Sequence, residues 1–360
     1  MLYKSIGLVV LLSTGLLFSC KDKVGVDDDV TDFDKAEMLE NVSSNIIVPS
    51  LNAFSTEVSD LKSSFETFKA TPNSANLEEV KLHWKESYII WQWLKIFDFG
   101  PIRDIGFKSA TATYPVDTAK IEDNISNGGY NLSSVVNLDA IGFNALDYLF
   151  YNSNSLTSFQ NNSDYADYAS EVIEKLYNET QNVVNGWSTY ESEFNESTGT
   201  SSTSAFSEFV NEFNRDFELA KTAKVGIPIG KANLGLANPD YVEARYSGIS
   251  FELLEESIRA LATTYKGNSY RTDAAGIGFS DYLVHLGKDD LDQTIKDRFE
   301  IILDKTQGFS MTLEEAINDP SKTDQLDELY LKLQEHVVYI KTDMTGAFGV
   351  LITYQDNDGD

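Results

Sequence analysis

An all-α fold of two helical-bundle-like halves with long irregular loops is what this sequence predicts, on three observations. Apolar residues recur at spacings of three and four along most of the chain, the period of one helix face rather than the alternation of a strand. Glycine, proline and clusters of Asn, Ser and Thr separate those stretches. A polar connector, residues 196–204 (Glu-Ser-Thr-Gly-Thr-Ser-Ser-Thr-Ser), has linker composition near mid-chain. One half is thereby placed at residues 35–196 and the other at 205–360.

The elements follow in order. After Pro49, the residues Leu51, Phe54, Val58, Leu61, Phe65 and Phe68 share one stripe of a helix, which Thr71-Pro72-Asn73-Ser74 breaks. Asn76 with Glu79 three residues on predicts a capping-box start for the next helix. That helix carries Leu77, Val80, Trp84, Tyr88 and Trp91 on one face to about Phe99 and stops at Gly100-Pro101, because proline disfavours helix in the residue before it. From Pro101 to about Asn137 the chain reads as irregular, with short turns such as Asp117 to Ile125; loops of this length are uncommon in compact domains and often functional. Helices are expected again at about Leu138 to Tyr151, Tyr165 to Glu191 and Phe206 to Lys224. Gly226, Pro228, Gly230, Gly235 and Pro239 mark a second long loop. Later helices read at about Ser250 to Thr264, Gly278 to His285, Asp289 to Thr306, Leu313 to Ile317 and Asp324 to Asp343, and Val350 to Tyr354 is too short to found a sheet.

Composition narrows the chemistry. The 360 residues hold 57 acids against 28 lysines and arginines, a formal charge of −29 that repels phosphate backbones and excludes nucleic acid as a partner. One cysteine excludes an intramolecular disulfide and a thiolate zinc cluster, and three histidines leave little for a multi-imidazole site. A divalent cation bound here (iron, zinc or calcium) must lean on oxygen ligands.

The N-terminus reads as an address. Lys4 precedes an apolar run from Ile6 to Phe18, about 13 residues where a bilayer span needs about 20, and the run ends Leu17-Phe18-Ser19-Cys20. A small residue before cysteine at the end of such a core resembles a bacterial lipobox, so residues 1–19 read as a signal peptide and Cys20 as the lipidated first residue that joins the chain to a membrane. Removing residues 1–19, which carry Lys4 and no acid, takes the charge from −29 to −30. Residues 20–34, with Asp27, Asp28, Asp29, Asp32 and Asp34, read as an acidic tether. The expected location is the cell envelope, lipid-anchored at the outer membrane.

Four phrases resemble the imelysin family in the family's order. They are the aromatic helix end Trp91 to Pro101 closing Phe99-Gly100-Pro101, Tyr114-Pro115-Val116-Asp117, Val242-Glu243-Ala244-Arg245-Tyr246-Ser247, and the terminal Asp356-Asn357-Asp358-Gly359-Asp360. The resemblance spans residues 45–360 and implies an α-helical envelope protein with a site at the junction of two bundle-like domains. Members of that family include metallopeptidases named for cleaving insulin and components of bacterial iron uptake, which would make iron-uptake proteins partners.

The family's Gly-x-His-x-x-Glu signature aligns with Gly142-Phe143-Asn144-Ala145-Leu146-Asp147, so Asn144 stands for the histidine and Asp147 for the glutamate. Residues three apart share a helix face and could serve one metal together. An asparagine carbonyl is a weak neutral ligand and shuttles no proton, and aspartate is one methylene shorter than glutamate. The expectation is therefore a binding protein without HxxE-type peptidase activity. Its site comprises Asn144, Asp147, Glu243, Arg245, Tyr246 and Ser247, with Glu86 as a further recruit and Asp147 and Glu243 as metal ligands, and it holds a metal ion or a small polar ligand. An envelope metallopeptidase with carboxylate ligands is the alternative. Buried carboxylates need a cation, and Arg245 or Arg103 is the expected one. A second HxxE, His83-Trp84-Lys85-Glu86, reads as a bundle-facing histidine with a solvated glutamate, and His285 and His336 read as packing or surface residues. Asp356, Asp358 and Asp360 resemble the start of a calcium loop, but the chain stops before a closing glutamate, so a frayed tail is expected.

Overall fold

Helices account for every regular element among residues 32–272 and 274–354, which are the residues described by the structure, a computed structural model. The expectations for the leader, Cys20, most of the tether and the terminal aspartates fall outside those residues.

Asp34 caps the first helix by accepting the Glu37 N–H at 3.0 Å. Helix α1 (Lys35–Val42) passes through a π-helical turn (Ser43–Ile47) directly into α2 (Val48–Ala70), so this helix starts well before Pro49. Next comes α3 (Ser74–Leu94), capped by Asn73 rather than by the expected Asn76 and Glu79. Asn73, extended after Pro72, is the residue placed to take the Asn76 N–H, at 2.9 Å. Beyond Leu94 the helix tightens into a 3₁₀ turn, Lys95–Phe97. The stretch expected to be irregular holds three short helices, α4 (Pro101–Asp104), α5 (Phe107–Ala112) and α6 (Thr118–Asn127). After a 3₁₀ segment, Val135–Ala140, come α7 (Gly142–Tyr151), α8 (Ser155–Asn161), which periodicity missed because it is short, and α9 (Ser163–Glu196).

Past the connector, α10 (Ala205–Leu219) widens into a π-helical turn, Ala220–Gly226. Then follow α11 (Ser250–Lys266), α12 (Phe279–His285), α13 (Asp289–Gln307), α14 (Leu313–Asn318), α15 (Thr323–Val337) and α16 (Thr345–Phe348). Residues 338–344 between the last two are again π-helical.

The six stripe residues of α2 are each at most 2% exposed, and α2 packs on α3 and α9. Burying such side chains is worth about 1.5–3 kcal/mol each against leaving them in water, which is why packing, more than helix propensity, holds these helices. Phe54 meets the rings of Trp91, Phe107 and Phe143 at 5.9–6.1 Å, so one side chain ties α2 to α3, α5 and α7. Later in the chain α11 packs on α13, and α13 on α15, around Phe217, Phe299 and the fully buried His336, whose ring lies 4.8 and 4.4 Å from theirs. His285 is exposed.

Helices α3 and α11 pack together, and the described residues from Asp34 onward form one compact unit. Polar bonds cross at that contact: Trp93 Nε1 donates to Glu256 at 2.6 Å, and Lys95 Nζ to Ser257 Oγ at 2.9 Å. The loops after α5 and before α11 are thereby brought beside α7.

Candidate functional site

Helix α7 starts under tight steric control. Gly142 has φ +71°, and a Cβ there would lie 2.3 Å from the Thr111 carbonyl oxygen, so only glycine allows the helix to begin against α5. One residue on, Phe143 stacks on Tyr88 at 4.5 Å, and its carbonyl accepts the Trp84 indole N–H at 3.1 Å. The next turn of α7 is thereby fixed in place.

Asn144 and Asp147 then project from one face into the loop before α11. Asn144, 3% exposed, accepts the Ala244 N–H at 3.0 Å, while its amide donates to the Tyr88 hydroxyl at 3.0 Å. Asp147, 1% exposed, accepts the backbone N–H groups of Tyr246 and Ser247 at 2.8 and 2.9 Å. The loop itself turns sharply: Ala244 is left-handed at φ +50°, and its carbonyl accepts the Gly248 N–H at 3.0 Å and the Ser247 hydroxyl at 3.2 Å. Two side chains three residues apart thus take three backbone donors about one hundred residues away in sequence. Tyr246 packs its ring against Tyr148 at 5.1 Å.

Glu243 turns the other way. It accepts the Tyr88 hydroxyl at 2.9 Å on one oxygen and pairs with buried Lys224 on the other. A chain of donors and acceptors therefore runs from Asn144 through Tyr88 and Glu243 to Lys224, with each member partnered. Burial pushes the Asp147 carboxyl up to about 7, with nearby Glu243 adding to the rise and the loop N–H groups opposing it. Burial, then Glu243, holds the Tyr88 hydroxyl well above its ordinary value, so it stays a donor.

The compensating cation differs from the expected one. Arg103 pairs with Glu208 and Glu212, and Arg245 clamps Glu314 through two bonds of 2.9 Å while also reaching Asp240. Lys224 and the loop amides serve the buried carboxylates instead. Lys224 could not be singled out from sequence because it sits on the π-helical turn at the end of α10, where helical periodicity no longer assigns faces. Tyr88 was legible as a stripe residue of α3, and its hydroxyl as a hub was not. Glu86 is not brought to this cluster; it pairs with Arg271 at 2.7 Å. His83 faces Glu57, with Nδ1 2.5 Å from Oε1. Glu57, Asp60 and His83 form the one group among the described residues with three metal-type ligand atoms within 4.8 Å of one another.

Two cavities flank the cluster. The first, of about 480 Å³, is lined by Pro115 to Ala119, Asp139, Asn144, Asp147, Asp240, Val242, Arg245 and Tyr246, so the Tyr-Pro-Val-Asp phrase, the signature helix and the second-half phrase converge on it. Asp117 caps α6, and Lys120 bonds Asp139 at 2.6 Å. The second cavity, of about 280 Å³, takes Glu243, Lys224 and Tyr114. Glu243 therefore does not share a cavity with Asp147.

The oxygens of Asp147 and Glu243, read from sequence as metal ligands, are held by protein donors. A metal of the HxxE kind does not fit this donor set, since Asn144 offers a carbonyl already bonded to Ala244 N–H.

The model of the imelysin family (peptidase M75) matches residues 47–338. The chain belongs to the imelysin family. Two solved structures share its fold. An imelysin-like protein from Psychrobacter arcticum 273-4 is 15% identical with a TM-score of 0.72, covering 90% of this chain and 99% of its own. A protein described as an iron-regulated protein A precursor from Parabacteroides distasonis ATCC 8503 is 14% identical with a TM-score of 0.71, covering 88% of this chain and 96% of its own. No curated protein matches with significant similarity. Asn144 and Asp147 thus sit in an imelysin chain, and the fold around them is the imelysin fold.

Proposed function

We propose that this imelysin-family chain is a lipid-anchored envelope protein that binds a hard divalent cation in the acidic cavity beside the signature helix, without HxxE-type peptidase activity. The observation that carries the reading is the lining of that cavity. Asp117, Asp139, Asp147 and Asp240 line it with Arg245, and Lys120 reaches two of the four, so four carboxylates face two cations. A surplus of one to two negative charges among oxygen ligands, Asp147 being only partly ionised near pH 7, suits a divalent ion of the calcium or ferrous type more than a thiolate- or imidazole-seeking one. Asp147 keeps a lone pair beyond its bonds to the Tyr246 and Ser247 N–H groups and the Ser247 side chain. A structural neighbour described as an iron-regulated protein A precursor makes iron one of the ions to test, and its being a precursor, with the lipobox-like Ser19-Cys20 of this chain, supports processing at the N-terminus. No helix among the described residues is long and apolar enough to cross a membrane, which leaves anchoring to Cys20 in this reading.

The test is calorimetric titration of the purified mature protein with ferrous iron, zinc and calcium, alone and with Asp147→Asn and Asp240→Asn. Each substitution should weaken binding of the preferred ion, and the pair should cost less than the sum if both touch one ion. Chelator-sensitive cleavage of insulin that Asp147→Ala abolishes would instead establish the carboxylate metallopeptidase reading, which the family's peptidase name favours.

A further inference from the structure

Outside both cavities, the packed pair α2 and α3 brings four ligand-type side chains together. Glu57 and Asp60 are three apart on α2, and Glu79 and His83 are four apart on α3, so each pair shares a helix face. These faces border the buried contact between the helices, where their chain neighbours Val58, Leu61, Val80 and Trp84 are fully buried. The His83 and Glu57 side chains are only 22% and 19% exposed, while Asp60 and Glu79 stand open to solvent.

His83 Nδ1 lies 2.5 Å from Glu57 Oε1, and an oxygen of Asp60 joins them, with the three ligand atoms within 4.8 Å of one another. On the other side of the ring Nε2 faces Glu79 Oε1 at 3.6 Å. An imidazole that ligates through one nitrogen usually directs the other at a carboxylate or carbonyl, which is where Glu79 stands. A tetrahedral ion with ligands at about 2.0–2.2 Å holds them about 3.3 Å apart, so side-chain rotations alone bring this set to bonding distance.

Charge favours the same occupant. Among the described residues no lysine or arginine pairs with Glu57, Asp60 or Glu79, and the basic group beside Glu57 and Glu79 is the one imidazole. The lysines of both helices turn elsewhere: Lys62 to Glu174, Lys69 to Asp167, Lys81 to Glu78 and Lys85 to Glu252. Arg271 is taken by Glu86, so the glutamate of the His83–Glu86 spacing plays no part. Three carboxylates against one imidazole leave at least two negative charges over, even with His83 protonated. A nitrogen ligand among carboxylates suits a borderline ion of the zinc class, where an oxygen-only set suits calcium.

We propose that Glu57, Asp60 and His83 bind a divalent transition metal of the zinc class, which ties α2 to α3, with Glu79 orienting the imidazole. The inference goes beyond the cation reading and does not rest on it, since none of these four residues lines the acidic cavity.

Calorimetric titration of the full mature chain with zinc tests it, with calcium as a second arm. Zinc should bind saturably with a Kd in roughly the micromolar range, and His83→Gln should weaken it about tenfold or more, as loss of the nitrogen ligand does. Glu57→Gln should weaken it as well, and His285→Gln, at an exposed histidine elsewhere, should leave it unchanged. Because the ligands come from two helices, zinc should raise the Tm of the parent and not that of His83→Gln. Should His83→Gln not fold, the imidazole NMR signals of the parent decide. The chain has three histidines, of which His336 is fully buried and His285→Gln identifies another, so the remaining signal is His83 and should shift on adding zinc. No saturable zinc binding at about 100 μM, or zinc affinity indifferent to His83, overturns the proposal. So does zinc binding that Asp147→Asn abolishes and His83→Gln leaves intact, which would assign zinc to the acidic cavity. Calcium binding that His83→Gln weakens more than it weakens zinc binding overturns the assignment to the zinc class.

Discussion

The Asp147 carboxylate accepts the Tyr246 N–H at 2.8 Å, joining α7 to a loop 99 residues later. This aspartate organises the loop that precedes α11. Deleting its acceptor atoms should therefore show first in stability. Asp147→Ala leaves two N–H groups unanswered and should cost about 1–3 kcal/mol, with Asp147→Asn costing less because one carbonyl acceptor remains. Urea unfolding followed by circular dichroism gives the comparison, and equal midpoints for parent and Asp147→Ala would show that the loop does not depend on the carboxylate.

Burial sets a pH signature for the same residue. The folded value of about 7 lies above the ordinary 3.8, so between those values the folded chain holds a proton that the unfolded chain has lost. Stability from this group is therefore highest at low pH and falls as pH rises from about 4 to 7. Because many other acids titrate, the quantity to measure is the difference between parent and Asp147→Asn at pH 5 and pH 8. The parent should lose more on going to pH 8; a constant difference would contradict the assignment.

The Lys224 and Glu243 pair should behave as a buried unit. Glu243→Gln or Lys224→Met alone leaves a buried charge without its partner and should cost about 3–5 kcal/mol, whereas the double substitution should cost clearly less than the sum. A thermodynamic cycle from denaturant melts measures the coupling, and additivity would mean that the two groups do not depend on each other.

At Gly142 the prediction is steric. Alanine would set its Cβ 2.3 Å from the Thr111 carbonyl at a φ of +71°, so Gly142→Ala should destabilise the fold by about 1–3 kcal/mol or more. Gly129 has the same φ of +71° with open space around it, so Gly129→Ala serves as the control for backbone conformation without the clash and should cost less. A thermal melt that ranks the two the other way would count against the close approach of α7 and α5.

Anchoring is tested in cells. Palmitate should label the expressed protein and the label should sediment with membranes, and Cys20→Ala should abolish both. Labelling that survives the substitution would remove Cys20 as the anchor.

Much of this molecule is written locally. The α2 stripe from Leu51 to Phe68 was legible because burial on one face of a helix imposes a spacing of three and four, and all six residues are buried. The order of the imelysin phrases likewise marked three segments that the fold brings together, since Tyr114 to Asp117, Gly142 to Asp147 and Val242 to Ser247 contribute to the walls of two neighbouring cavities. What sequence could not supply is which donor meets which acceptor. Lys224 answers Glu243, Arg245 turns to Glu314, and Glu86 leaves for Arg271, and nothing in the spacing distinguishes these pairings. Periodicity reports only whether a residue faces inward; partner choice among inward charges depends on the packing of α3 on α11 and on the widened π-helical turn that carries Lys224. The sequence by itself determined the helices and the loops that meet, because those follow from local hydrophobic and steric rules. Tertiary packing decided that Asp147 and Glu243 face different cavities, because the direction of a buried side chain is set by neighbours that lie about one hundred residues away.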